Sequence, residues 1–191
     1  VRPIAVTAGY INEEPRRALF GAMDAANVDL KGFSEGFYRK VTGAKLSTVL
    51  DTLEHVKDSN CWLEITTLLI PGKNDSDEEL TAMSRWVTRN LGPDVPHHFS
   101  AFHPAHRMLD VPPTPPSTLQ RARDIAMAEG ERYVYTGNTY DPAGQSTYCV
   151  DCGEVVVPRD RYRVGGTRLD VRGDGSAICE FCGTAIPGVW A

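Results

Sequence analysis

The chain has 191 residues, of which 41% are hydrophobic and 24% charged, and its formal net charge is −5 at pH 7. This length allows one domain of ordinary size and a small appendage. The negative charge argues against a broad binding surface for nucleic acid or an anionic membrane, and we expect neither partner. No apolar run approaches the ~20 residues that cross a bilayer, and no leader pattern is found, so we expect a cytoplasmic protein.

Strand-like and helix-like segments alternate along residues 1–140. The predicted strands cover residues 4–7, 26–31, 62–70, 97–102 and 132–135, with predicted helices between them. The order βαβαβαβαβ implies an α/β fold, with a parallel sheet covered by helices. Because the sequence begins with Val1 directly before a predicted strand, we expect a chain cut from something longer.

Two helix starts carry clear sequence signals. Ser76 and Glu79 form a capping-box pattern, in which Ser76 is the N-cap and Glu79 follows three residues later. In the later Pro-rich turn, Thr114 is the predicted N-cap and Pro115 the first helical residue.

The second predicted strand places Asn27, Asp29 and Lys31 on one face and Val28 and Leu30 on the other. One alternative is an edge strand whose polar face meets water. The other is a polar cavity at the mouth of a curved sheet, which the early position of the strand in the series favours. A buried Asp and Lys are costly unless they pair with each other or with a charged ligand. A ligand that carries both ammonium and carboxylate groups would satisfy both.

The histidines and the isolated cysteine are less informative. His103 ends the fourth predicted strand and His106 follows it, so either could reach a ligand at the carboxyl ends of the strands. A metal site at these histidines is the weaker alternative, because no carboxylate motif or third histidine lies nearby. We expect structural roles for His97 and His98, and Cys61 is expected to be a small buried hydrophobe.

The most specific pattern is a pair of Cys-x-x-Cys-Gly motifs near the end of the chain. It supplies four thiolates, from Cys149, Cys152, Cys179 and Cys182. This spacing is typical of a tetrahedral zinc ribbon, and a closed four-thiolate site is structural rather than catalytic. Rubredoxin-like iron is the alternative occupant. The module is predicted to cover residues 141–191, and its arginines are interleaved with acids, which indicates a solvated face rather than a nucleic-acid patch.

Five motifs, in this order, resemble those of the radical S-adenosylmethionine (SAM) superfamily. They are TAGYI at 7–11, VDLK at 28–31, LIPGKNDS at 69–76, HFSAFHPA at 98–105 and YVYTGN at 133–138. Within the superfamily, the chain resembles the activating enzymes for glycyl-radical proteins, and more narrowly the AmmeMemoRadiSam-system radical SAM protein. The resemblance covers residues 1 to about 140, and the Cys-rich tail is also typical of the narrower family.

The resemblance implies a partial (β/α) barrel, of which residues 1–140 are the carboxyl-terminal part. In this family SAM binds a [4Fe–4S] cluster and is reductively cleaved to a 5′-deoxyadenosyl radical that abstracts hydrogen from a substrate. The resemblance implies that Asp29, Lys31 and His103 contact the bound SAM, and it assigns no catalytic residue. The implied partners are SAM and a protein substrate or system partner, and the cofactors would supply the radical chemistry.

The sequence departs from the family pattern in three places. The Cys-x-x-x-Cys-x-x-Cys triplet and the Gly-rich stretch are absent, and Ala8 replaces the Asn of the Thr-Asn-Gly motif. We therefore expect the cluster ligands upstream of Val1, and we expect this chain to be inactive alone. One alternative is a degenerate relative without a cluster. Another is a non-catalytic module, in which the zinc ribbon docks a partner and the α/β part is a scaffold.

Overall fold

A five-stranded parallel sheet, with strand order β1-β2-β3-β4-β5, forms the centre of the amino-terminal part of the chain. The structure is a computed structural model that describes residues 1–190. The strands are β1 (Ile4–Thr7), β2 (Ala25–Asp29), β3 (Trp62–Leu69), β4 (His97–Ala101) and β5 (Val134–Gly137). Each neighbouring pair is parallel. The predicted α/β fold is therefore confirmed.

Helices form the connections between these strands. They are α1 (Glu13–Phe20), α2 (Glu35–Phe37), which continues into a π-helical turn (Tyr38–Thr42), α3 (Leu46–Lys57), α4 (Asp77–Asn90) and α5 (Pro116–Ala128). The helices bury apolar stripes at helical spacing, for example Val49, Leu53 and Val56 of α3. Because no helix among residues 1–190 combines sufficient length with sufficient apolar character, none is a candidate membrane span.

The two faces of the sheet differ in polarity because side chains alternate along each strand. Val28, Ile65 and Phe99 are fully buried in the cluster that the helices cover. Burying a side chain of this size contributes about 1.5–3 kcal/mol. Asp29 and His98, on the other face, are only half-buried. This second face therefore lies outside the helix-covered core, and we call it the open face.

Of the two predicted helix starts, the N-cap at Ser76 is confirmed and the N-cap at Thr114 is not. Ser76 accepts the N–H of Glu79 at 3.2 Å, as a capping box requires, but the Glu79 carboxylate bonds Phe33 instead of returning to Ser76. The last helix of the parallel-sheet part begins at Pro116 with Pro115 as its N-cap, so the prediction of Thr114 as N-cap is wrong. The Thr114 hydroxyl is instead buried, where it donates to the carbonyl of Leu69 at 2.6 Å.

The chain divides into two compact units, unit 1 (Val1–Asn138) and unit 2, which begins at Thr139. Unit 2 contains one short helix and seven short strands: α6 (Pro142–Gln145), β6 (Thr147–Tyr148), β7 (Val155–Val157), β8 (Arg159–Asp160), β9 (Arg163–Val164), β10 (Leu169–Val171), β11 (Ala177–Cys179) and β12 (Ala185–Ile186). The last three strands form an antiparallel sheet. The small buried cluster of unit 2 includes Val156, Leu169, Ile186 and two of the cysteines.

Candidate functional site

Polar side chains dominate the central strands of the open face of unit 1. The half-buried residues there are Asn27, Asp29, Glu64, Thr66, His98, Ser100 and Tyr135. In the strand register, Asp29 pairs with Thr66, Thr66 with His98, and His98 with Tyr135, so these side chains form one row across four strands. A polar row on a parallel sheet, whose faces are ordinarily apolar and covered, indicates a binding surface.

Asp29 and Lys31 form an ion pair near the carboxyl end of β2. The Lys31 Nζ donates to Asp29 Oδ2 at 2.7 Å, and the two side chains are 39% and 31% exposed for Lys31 and Asp29. The structure therefore brings together two of the residues that the sequence singled out. A partly exposed pair of this kind contributes only about 0–1 kcal/mol to stability, so exchanging it for contacts with a ligand costs little.

The backbone around Lys31 is held by buried side chains. The N–H of Lys31 donates to the hydroxyl of Tyr38 at 3.1 Å, and its carbonyl accepts from the Asn74 amide at 2.7 Å. Burial raises the pKa of Tyr38 to about 12, and the charges of Asp29 and Glu35 add to this effect although the Lys31 N–H opposes it. The phenol therefore remains protonated across the physiological range.

The turn after Lys31 is fixed by one further hydrogen bond and by the close approach of Phe37 to Gly32. The N–H of Phe33 donates to Glu79 Oε1 at 2.6 Å. Burial raises the pKa of Glu79, although the Phe33 N–H lowers it. A Cβ at Gly32 would lie 2.7 Å from Cδ1 of Phe37, so a larger residue would displace that ring. Together these contacts hold the backbone from which the side chain of Lys31 projects.

His103 lies beyond the end of β4 and is exposed. Its Nε2 is 3.4 Å from the carbonyl of Asn138, and within residues 1–190 no hydrogen bond or ion pair joins it to Asp29 or Lys31. β3 separates β4 from β2, so the two strands lie about 10 Å apart. His106 is exposed too, in a left-handed backbone conformation with φ of 51°. His103 and the Asp29–Lys31 pair thus lie toward the same end of the sheet, with β3 between their strands.

Sequence reasoning missed a second polar group on the open face. His98 Nε2 lies 2.9 Å from Glu64 Oε2, and the indole N–H of Trp62 donates to Glu64 Oε1 at 3.2 Å. The ring of Tyr135 stacks on that of His98, with centroids 5.0 Å apart. His98 was expected to be structural, but its exposed fraction of 32% places it on the surface of the open face. The sequence signal for this group was that Trp62, Glu64 and Thr66 stand at every second position of β3 and therefore share one face of the strand.

His97, the neighbour of His98, points to the opposite face of β4. Its ring is fully buried, with Nδ1 2.9 Å from Glu131 and Nε2 2.9 Å from Thr67. These contacts tie the start of β4 to β3 and to the segment before β5. These contacts agree with the structural role expected for His97.

The four cysteines of unit 2 converge on one point. Their Sγ atoms all lie within 4.8 Å of one another. The Cys149–Cys182 and Cys152–Cys179 sulfur pairs are 3.5 and 3.7 Å apart, too far for disulfides. A tetrahedral ion with Zn–S bonds of about 2.3 Å requires sulfur pairs about 3.8 Å apart. The cysteines could therefore hold a metal ion.

The pKa values of two of these thiols are shifted in opposite directions. The side chain and then the backbone N–H of Thr184 lower the pKa of Cys182 to about 6. The backbone N–H of Glu154 lowers the pKa of Cys152, but burial and the neighbouring thiols outweigh it and raise the value to about 12. One thiolate thus forms readily, and further thiolates need a cation to offset their mutual repulsion.

No family model matches the chain. An uncharacterized protein of Methanocaldococcus jannaschii is 40% identical over 183 residues, which are 96% of this chain and 53% of that protein. The chain therefore spans about half the length of this relative.

Two solved structures resemble the chain more distantly. A domain of the pyruvate-formate lyase-activating enzyme from Bacteroides vulgatus has a TM-score of 0.61 at 12% identity, covering 70% of this chain and 80% of that one. A radical SAM methyltransferase from Sphaerobacter thermophilus has a TM-score of 0.57 at 15% identity, covering 70% of this chain and 39% of that one. At these identities the similarity shows the fold.

Proposed function

We propose that this chain is the carboxyl-terminal part of a radical SAM enzyme. In this proposal unit 1 supplies part of the barrel and one side of the SAM site, and unit 2 is a structural zinc ribbon. The observation that carries the proposal is the polar open face, with an Asp–Lys pair near the carboxyl end of β2, on a fold that resembles two radical SAM proteins. The finer assignment to the AmmeMemoRadiSam type rests on the sequence motifs.

The unpaired edge of β1 agrees with a sheet that has further strands in the whole protein. β1 pairs only with β2 among the described residues, so its other edge is unpaired, and its residues Ile4 and Val6, on the open face, are 65% and 80% exposed. Apolar, unpaired edges are usually covered in native proteins, because they otherwise pair with other chains. A relative of about twice this length is consistent with further strands that would continue the sheet beyond β1.

The residues of unit 1 do not fit an iron–sulfur cluster. Such a cluster needs several cysteine thiolates, and the only cysteine of unit 1, Cys61, is buried at the start of β3. The four remaining cysteines already converge in unit 2. We therefore assign no reaction step through a cluster to this chain, and in our proposal its ligands come from a preceding segment.

The Asp29–Lys31 pair fits the amino-acid end of SAM. The ammonium of Lys31 would bind the carboxylate of SAM, and the carboxylate of Asp29 would bind the ammonium of SAM. Each group of SAM would then take the place of a protein group of the same charge in the Asp29–Lys31 pair. His103, at the end of β4, would contact the same ligand from across β3. When bound and reduced, SAM supplies the radical chemistry, while these side chains bind and orient it.

For unit 2 we propose zinc in the four-thiolate site. The sulfur separations suit zinc and also iron, and zinc is the commoner ion at closed ribbons with four cysteine ligands. A module of about 50 residues has little core, so metal binding would supply much of its folding free energy. Two of the four thiols are buried, and this agrees with a structural rather than an open catalytic site.

The decisive experiment uses the longer polypeptide that contains this chain and its preceding segment, reconstituted with iron and sulfide without oxygen. With SAM and a reductant, we expect 5′-deoxyadenosine. Lys31→Ala should reduce this product strongly, whereas Lys73→Ala, which removes an exposed lysine from the turn after β3, should not. A fully reconstituted protein that forms no nucleoside would reject the proposal. It would favour the alternative of a binding module on an α/β scaffold.

A further inference from the structure

The Glu64–His98 pair has a geometry that the SAM site does not explain. Glu64 lies on β3 and His98 on β4, so the contact joins neighbouring strands within the polar row. Two strand spacings, about 10 Å, separate His98 from Asp29. This is close enough for both to face one bound complex of SAM and substrate, and too far for both to bind the same amino-acid group.

The hydrogen bonds around His98 leave one ring nitrogen available. Nε2 bonds Glu64 at 2.9 Å, and a carboxylate acceptor there requires the proton to be on Nε2. In the neutral ring Nδ1 then carries the lone pair, and within the described part of the chain no hydrogen bond reaches it. A histidine that bonds a carboxylate through one ring nitrogen and has a lone pair on the other has the arrangement of a general base.

The neighbours of the pair hold it in this orientation. Trp62 donates its indole N–H to the second carboxylate oxygen of Glu64, so the carboxylate cannot rotate freely. Tyr135 stacks against the imidazole at an interplanar angle of 22° and restricts the tilt of the ring. The exposed fractions of Glu64 and His98, 36% and 32%, leave both accessible from the open face.

We propose that His98 is a catalytic residue that accepts a proton from an O–H or N–H group of the substrate, and that Glu64 is its positioning residue. This inference rests on the proposed function, since it places the substrate of the radical reaction on the open face. The proton moves from the substrate oxygen or nitrogen to Nδ1, and the electrons of the broken bond stay on the substrate atom. The resulting imidazolium is balanced by the Glu64 carboxylate.

The first test needs only the 191-residue chain. Nitrogen-15 NMR of the histidine side chains, assigned with His98→Gln, reports which ring nitrogen carries the proton. We expect a slowly exchanging Nε2–H and an unprotonated Nδ1 for neutral His98, with faster Nε2–H exchange in Glu64→Ala. The buried His97 ring serves as an internal reference for folding, because its contacts with Thr67 and Glu131 are independent of Glu64. A proton on Nδ1 of neutral His98 would overturn the inference.

The second test uses the reconstituted longer polypeptide and an anaerobic extract of the cells from which the gene comes, as the source of substrate. In buffer, we expect His98→Gln to form 5′-deoxyadenosine as the unaltered protein does. With extract, we expect the stimulation of this product to be about 100-fold smaller in His98→Gln, as for removal of a general base. Glu64→Gln should show a smaller loss, and the control His55→Gln, on helix α3, none.

The outcomes separate the two proposals. If the unaltered protein forms no nucleoside, the proposed function is rejected. If it forms nucleoside and His98→Gln responds to extract like the unaltered protein, only the role of His98 is rejected. A loss in buffer as well as in extract would also overturn the inference, because His98 would then act on SAM rather than on the substrate.

Discussion

Replacing Asn74 with alanine tests how the loop carrying Lys31 is held. Asn74 is 1% exposed, and its side chain bonds three backbone groups. Its Oδ1 accepts the N–H of Ile70 at 2.7 Å, and its Nδ2 donates to the carbonyls of Lys31 at 2.7 Å and Leu68 at 2.9 Å. A single residue thus joins the end of β3 to the segment after β2.

The magnitude follows from these contacts. Each hydrogen bond contributes about 1 kcal/mol net, and each buried backbone group left without a partner costs about 1–3 kcal/mol. Asn74→Ala should therefore lower the free energy of unfolding of unit 1 by about 3 kcal/mol or more. For a unit of this length, that corresponds to a fall in Tm of about 10 °C.

Urea unfolding of the zinc-loaded chain, followed by circular dichroism and tryptophan fluorescence, measures this loss. Asn90→Ala is the matched control, because the Asn90 amide also donates to a backbone carbonyl, that of Trp86 at 2.9 Å, but is exposed. We expect that control to change stability by no more than about 0.5 kcal/mol. A loss below about 1 kcal/mol in Asn74→Ala would refute the reasoning, since water would then be replacing the amide.

Three further predictions concern other contacts. Cys179→Ser should abolish stoichiometric zinc after dialysis, whereas Cys61→Ala should retain it; equal zinc in both would contradict the four-thiolate site. Thr114→Val should cost about 2–3 kcal/mol of stability, measured in urea, because it unpairs the buried N–H of Phe102 and a carbonyl; an unchanged midpoint would contradict it. Burial raises the pKa of Glu79 in the folded chain, so the folded chain binds more protons than the unfolded chain at mildly acidic pH. As the pH falls from about 7 to 4, the free energy of unfolding of the unaltered chain should therefore rise relative to that of Glu79→Gln. A flat difference would contradict this.

The parts of the site that sequence reasoning found depend on local spacing. Asp29 and Lys31 were singled out together because side chains alternate with a period of two, although β2 ends at Asp29 and Lys31 lies just beyond it. Each Cys-x-x-Cys-Gly turn presents two sulfurs together by its local spacing, whereas the fold of unit 2 brings the two turns to one point. The role of Asp29, Lys31 and His103 in SAM binding remains a prediction.

The parts that sequence reasoning missed depend on strand neighbours. The Glu64–His98 contact joins residues 34 positions apart, and it exists only because β3 and β4 pair in the observed register. The prediction of Thr114 as N-cap failed for a similar reason. Its hydroxyl hydrogen-bonds residues on β3 and just beyond β4 instead of capping the helix.

By itself, the sequence determined the alternation of strands and helices, the polar face of β2 and the two Cys-x-x-Cys-Gly turns, because hydrophobic periodicity and turn chemistry act over a few residues. Only the tertiary structure decided that Asn74 holds the Lys31 loop and that His98 meets Glu64 across neighbouring strands. Those features depend on hydrogen bonds across neighbouring strands and on burial, which no local pattern of residues specifies.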